Sequence, residues 1–290
     1  MKIIADGIFE SKEIFNEELL ESYLVEDRMV KYDGELAPKF GWCVIYVGGP
    51  GSGKGSASKF KSRLQGIYFN VDDLKEKSKI WDIINTETGK PYSDELKTPE
   101  YARDIRNSEF VSELHNIMKP LGNKIKNNIL DSPENKGKGR DRLPNIIFDI
   151  TGDKVSKITE IVEALKPVGY KIAIVWMLST IERALRNNAS RPREVSVDNV
   201  FIPKHEDVIN AMEKLFNSGE IENINEFWVV DTATEINPRV DPVGYHEAQN
   251  VYHIPCTPDG LKVFDNIIKR INYNRNELGR LKQKRAEKFK

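Results

Sequence analysis

Hydrophobic positions along this 290-residue chain change period several times, and the changes mark its elements. From Trp42 the run "WCVIYVGG" carries β-branched and aromatic residues with no polar face. Such a run predicts a strand buried on both sides, as in a parallel sheet covered by helices. "IYFNVDD", "NIIFDIT", "KIAIVWML" and "EFWVVDT" predict four further strands. Between the third and fourth, Ile158, Ile161, Val162 and Leu165 recur at helical spacing, and Gly169-Tyr170 predicts the stop. Ser179 with Glu182 predicts a capping box that opens the next helix. Thr257-Pro258 predicts the start of the last helix. The alternation predicts an α/β fold with a mostly parallel five-stranded sheet and helices on both faces.

Two regions interrupt the rhythm. Residues 76–144 form a long insertion with helical character, in which Val111, Leu114, Met118, Leu121, Ile125 and Ile129 mark one apolar face, interrupted by Pro120. The insertion ends in "SPENKGKGRDRLP", which reads as a loop. The second is the arginine-bearing stretch "RNNASRPREVSVDNVF", within a lid expected at about 186–204. Insertions in α/β domains sit over the C-terminal ends of strands, where ligands bind. The expected organisation is an acidic extension (1–41), a main α/β domain (42–272) and a basic tail (273–290). In the extension, Glu17, Glu18, Glu21, Glu26 and Asp27 surround Leu19, Leu20, Leu24 and Val25, the pattern of a short amphipathic helix, and "KYDGELAPKFG" reads as a connector. That helix either packs on the domain or serves as an arm for a protein partner.

Composition narrows the classes. With 39% hydrophobic residues, 31% charged residues and a net charge of -1, the chain is neither disordered nor a bulk polyanion binder. Its basic end, "KRINYNRNELGRLKQKRAEKFK", is either a solvated helix end or a contact for nucleic acid or another polyanion. Of the two cysteines, Cys43 lies in an apolar run, which predicts a buried thiol and a reducing cytoplasm. No segment approaches the roughly 20 apolar residues of a membrane span. The first residues also lack the pattern of a signal peptide, so a soluble, intracellular protein is expected. His115, His205, His246 and His253 are scattered without metal-ligand spacing, and no zinc site is expected.

The chemistry is concentrated in "GGPGSGKGSAS". Gly48 to Lys54 fit the phosphate-loop pattern G-x-x-x-x-G-K, a strand leads into Gly48, and a helix-compatible segment follows Lys54. Backbone N–H groups of Gly48, Gly49, Pro50's neighbours, Gly51, Ser52 and Gly53, together with the helix start at Gly55, are expected to cradle phosphate, with Lys54 reaching the terminal groups. The usual magnesium-binding hydroxyl is displaced by one residue. Gly55 stands in its place, expected to be a backbone position shaped for glycine, and Ser56 follows. Asp72 and Asp73 end the second strand and face the same edge. They are either acceptor-side carboxylates or caps of the next helix. Asp149, after three apolar strand residues, suits a magnesium carboxylate, with helix capping as its alternative. Arg186, Arg191 and Arg193 are the lid candidates for a transferring phosphoryl group.

The loop resembles those of adenylate kinase and its nucleoside monophosphate kinase relatives, which carry G-K-G-[ST]. That resemblance implies that Ser56 acts near magnesium. "YFNVDDLK" resembles the acceptor motif of bacteriophage polynucleotide kinases and zeta-toxin kinases. It implies Asp72 as the base, Asp73 beside it, and Lys75 at an acceptor phosphate. "NIIFDITGD" resembles the same families' third strand, which ends in Asp-x-Thr and adds Thr151 to the acceptor side. "GYKIAIVWMLSTIERALRNNASRPR" resembles their fourth strand, helix and lid, although Arg186 to Arg191 is one residue longer than in polynucleotide kinases. The similarity runs in order from about residue 42 to 216 and implies a P-loop kinase fold. It also implies ATP (or GTP) and Mg2+ as cofactors and a nucleotide-sugar or polynucleotide 5′-hydroxyl as acceptor. A nucleoside monophosphate kinase and a non-catalytic ATP-binding assembly or regulatory protein remain the alternatives.

Overall fold

The computed structural model describes residues 29–32, 35–38, 40–55, 66–70, 123, 126–127, 129–130, 143–190, 195–232 and 250–288. A parallel core arises where apolar runs place alternate side chains on opposite faces. In β3 (Trp42–Val47), Cys43, Ile45 and Val47 enter one cluster, while Trp42, Val44 and Tyr46 enter the other. Both sets are buried, as the unbroken run requires. β4 (Ile67–Asn70), β5 (Ile146–Asp149), β6 (Lys171–Ser179) and β7 (Glu226–Thr232) are the other four expected strands. The sheet order is β4-β5-β3-β6-β7-β8, and β3 to β7 are all parallel.

The expected five-stranded sheet has six strands. β8 (Asn250–Ile254) closes the edge antiparallel to β7, with Trp228 opposite His253. Its half-exposed face mixes polar and aromatic residues, so it lacks the apolar run that marked the buried strands. The stretch read as a connector also carries strand: β1 (Met29–Tyr32) pairs antiparallel with β2 (Glu35–Pro38). The acidic helical segment before it lies outside the described residues, as does most of the 76–144 insertion.

The described helices line one face of the sheet. α1 (Val155–Leu165) buries Ile158, Ile161, Val162 and Leu165, the expected stripe, and left-handed Gly169 (φ 107°) ends the 3-10 turn that follows. α2 (Ile181–Ala189) does not open with the expected Ser179 box. Ser179 continues β6 opposite Thr232, and Thr180 caps α2 by accepting from the Arg183 N–H at 3.2 Å. Glu182 is engaged instead by the Tyr273 hydroxyl at 2.5 Å. After a π-helical turn (Val197–Phe201) comes α3 (Ile202–Asn217), with Val208, Ile209, Met212, Leu215 and Phe216 buried. Burial of each such side chain contributes about 1.5–3 kcal/mol. The second face, with Val44, Tyr46, Val175 and Trp228, is buried as well, and among the described residues its cluster consists of strand residues.

Thr257-Pro258 forms a turn closed by Gly260 N–H to Thr257 O at 2.9 Å, so it does not start the last helix. α4 begins at Asp265 and runs unbroken to Lys288, across the boundary expected at 272. Ile267, Ile271, Asn274 and Leu278 form its buried stripe. Much of its positive charge is spent inside the molecule: Arg275 pairs with Glu213, Lys282 with Glu206, Arg285 with Asp198 and Arg270 with Asp231. No helix among the described residues is long and apolar enough to cross a membrane.

Candidate functional site

β3 lies between β5 and β6, so the chain leaves it at the centre of the sheet's C-terminal edge, where the connections diverge to either side. The loop begins as an extension of the β ladder. Gly48 N–H donates to the Thr151 carbonyl at 3.1 Å, and Ile150 N–H donates to the Tyr46 carbonyl at 3.0 Å. It then turns, with Ser52 N–H donating to Gly49 O at 3.2 Å, and becomes helical at Lys54 and Gly55. The Lys54 ammonium folds over the loop, 2.5 Å from Gly48 O and 3.4 Å from Gly49 O.

Two helices brace the loop from outside. Gly51 has φ 76°, and a Cβ there would lie 2.2 Å from the Ala184 carbonyl of α2. That close approach and the left-handed backbone both require glycine. Asn187, on the same helix, donates to the Gly51 carbonyl at 2.8 Å. From α3, the His205 Nε2 lies 2.9 Å from the Pro50 carbonyl, which can only accept, so Nε2 carries the proton. The imidazole packs on Gly49, where a Cβ would come within 2.6 Å of its ring atoms, and on Phe201 at 4.4 Å between centroids. Burial, together with the nearby Lys54 charge, brings the His205 pKa down to about 4, although the Pro50 bond acts in the opposite direction.

Asp149 ends β5 level with Tyr46 and is 8% exposed. Its Oδ2 accepts from the Tyr68 hydroxyl at 3.1 Å and from Asn70 Nδ2 at 3.2 Å, both on β4. The next described helix, α1, starts at Val155 with Lys154 at its N-cap, so Asp149 does not cap it. Four residues on, Asp153 sits between Lys157, at 2.6 Å, and Lys204 of α3. Burial pushes its carboxyl up, but the two ammonium groups outweigh this and hold the pKa at about 2.

The structure therefore brings Gly48, Gly49, Pro50, Gly51, Ser52, Gly53, Lys54 and Gly55 together with Asp149 and Thr151 at one edge. Gly55, expected to be a position shaped for glycine, is helical with a φ that is not left-handed, and a Cβ there would meet none of the described residues within 4 Å. Arg186 is exposed on α2, whereas Arg183, one turn earlier, is buried. Ser56, Asp72, Asp73, Lys75, Arg191 and Arg193 lie outside the described residues. β4 ends at Asn70, paired with Asp149. Sequence reading missed His205, Asn187, Tyr68 and Asn70. A signal existed for His205, a polar residue in the apolar stripe of Ile202, Val208, Ile209 and Met212. Among the described residues no cluster of three metal-ligating side chains occurs, and both cysteines are free thiols, with Cys43 buried.

The fold is α/β, a mostly parallel six-stranded sheet with helices packed against it. No family model matches the chain, and no curated protein matches it. Among solved structures, a complex of AvrRxo1-ORF1 and ORF2 with ATP is similar with a TM-score of 0.44 at 12% identity, covering 67% of this chain. The chain spans 55% of the length of that structure. The native AvrRxo1-ORF1:ORF2 complex gives a TM-score of 0.45 at 12% identity, covering 81% of this chain and 71% of that one. The PezAT chromosomal toxin–antitoxin system of Streptococcus pneumoniae gives a TM-score of 0.40 at 12% identity, covering 91% and 96%.

Proposed function

We propose that the chain is an ATP- and magnesium-dependent kinase that transfers the γ-phosphoryl group to an acceptor hydroxyl of a nucleotide sugar or a polynucleotide 5′-end. The observation that carries this reading is a braced phosphate loop next to a buried carboxylate. Gly48 to Lys54 occupy the centre of the C-terminal edge, and Asp149 lies on the adjacent strand. Loop amides and Lys54 hold the nucleotide phosphates. Asp149 suits the metal because it is a strand-end carboxylate oriented by two donors, Tyr68 and Asn70, and Ser56 would complete the set. Asp149 and Ser56 would hold magnesium there, and the ion would supply charge neutralisation for the transferring phosphoryl group.

In the step itself, Asp72 accepts the proton of the acceptor hydroxyl. The hydroxyl oxygen bonds to the γ-phosphorus as the bond to the β–γ bridging oxygen breaks, and ADP leaves. Asp73, Lys75 and Thr151 are assigned to the acceptor side, and Arg186, Arg191 and Arg193 to the transferring group. The test is transfer of labelled phosphate from ATP, or from GTP in a parallel arm, across a panel of nucleotide sugars and 5′-hydroxyl oligonucleotides. One acceptor should become labelled, and Lys54→Ala should lower that rate on the order of 10²-fold by removing a charge on the phosphates. Equal rates for the wild type and Lys54→Ala would end the proposal.

A further inference from the structure

The carbonyl directions around the phosphate loop carry one more conclusion. The Gly48 N–H is committed to Thr151 and the Ser52 N–H to Gly49, while Pro50 has none to offer. The remaining amides in the first half of the loop are those of Gly49 and Gly51. The direction of the Gly51 N–H depends on the peptide between Pro50 and Gly51, which is trans, so its C=O and N–H point in opposite directions. A glycine on one side of that peptide accepts φ of either sign at little cost, so local sterics do not prevent the peptide from flipping. What fixes it in this structure is a side chain 155 residues further along: His205 Nε2 donates to Pro50 O at 2.9 Å.

We propose that His205 is a positioning residue that locks the Pro50–Gly51 peptide so that the Gly51 N–H faces the phosphate side of the loop. This inference deepens the nucleotide-binding reading above and rests on it. His205 is held for the task on three sides. His205 is 6% exposed, and its ring tilts against Phe201 and lies against the α-carbon of Gly49. Lys204, its neighbour on α3, is tied to Asp153 after β5. A single turn of α3 thus grips both the loop and the segment following the adjacent strand. That turn follows directly on the π-helical stretch Val197–Phe201.

The test compares wild type with His205→Gln, whose amide can still donate to Pro50 O, and with His205→Leu and His205→Met, which fill the site without a donor. Titration calorimetry with ATP is done on each folded protein, with the 15N–1H signal of Gly51 as a second readout. His205→Leu should bind ATP about tenfold more weakly, and His205→Gln should stay within about threefold of wild type. The Gly51 signal should be single in wild type and in Gln, and broadened or doubled in Leu. His205→Met, unbranched and adaptable, repeats the donor-less arm if Leu does not fold. Equal affinity in wild type and the donor-less variants, or equal loss in Gln and Leu, would overturn the inference alone. Absence of ATP binding by wild type would overturn the kinase reading. The Gly51 signal would then still decide whether His205 sets that peptide.

Discussion

At the scale of single residues, the site is controlled by two buried groups that titrate in separate windows. His205 has a folded pKa of about 4 against an ordinary 6.5, so the unfolded chain takes up its proton first. Its contribution is complete above pH 6.5 and is lost as pH falls toward 4, by roughly 3 kcal/mol at most. Urea unfolding at pH 7.5 and pH 5 should show a larger loss for wild type than for His205→Gln, and equal losses would contradict the assignment. Asp153, held at about 2 by Lys157 and Lys204, contributes above its ordinary value of 3.8 and is lost only as pH falls below it. It therefore leaves the pH 5 comparison untouched. Asp149 belongs to a different readout. Asp149→Asn and Ser56→Ala should each raise the magnesium concentration needed for half-maximal transfer while leaving ATP affinity in metal-free buffer nearly unchanged. Superimposable magnesium titrations would remove the substituted residue from the metal site.

At the scale of elements, the two glycines flanking the loop's second half have opposite requirements. Gly51 combines φ 76° with a Cβ position 2.2 Å from the Ala184 carbonyl, so Gly51→Ala must displace α2 or the loop. Left-handed strain alone costs about 1–2 kcal/mol, and the backbone clash adds to it. Gly55 is helical, a Cβ on it would meet none of the described residues within 4 Å, and Gly55→Ala should stabilise by up to about 1 kcal/mol through helix propensity. Thermal unfolding of the two variants should therefore shift in opposite directions; a parallel loss would mean that Gly55 is constrained after all. The same contrast shows what periodicity can and cannot report. It found α1, whose four buried positions are the four apolar residues of its stripe. It missed β8, because an edge strand half in solvent has no continuous apolar run, and it misplaced the start of α2 by one residue. Ser179 and Thr180 can both cap, and cross-strand pairing with Thr232 decides between them.

At the scale of the whole molecule, the question is which acceptor chemistry the edge supports. A hydroxyl must lose a proton during transfer, whereas a phosphate acceptor need not. Asp72→Asn should lower turnover about 10²- to 10⁴-fold at saturating acceptor with ATP affinity nearly unchanged, and Asp73→Asn should cost far less. Small, equal losses would move the assignment to a monophosphate kinase. The loop and five of the six strands of the main sheet were legible because each is encoded within a few adjacent residues: glycine spacing before a lysine, and apolar runs long enough to be buried on both faces. His205 was not, because the carbonyl it holds is 155 residues away and becomes a neighbour only when α3 packs across the end of β3. The same holds for the basic α4, whose arginines and lysines read as a tail until Glu206, Glu213 and Asp198 are brought opposite them. Local pattern determined which elements form and where the glycine-rich loop lies, since both depend on neighbouring side chains and backbone. Tertiary packing alone decided which distant donors orient the loop and which charges remain for a ligand, since those partnerships exist only between elements already in place.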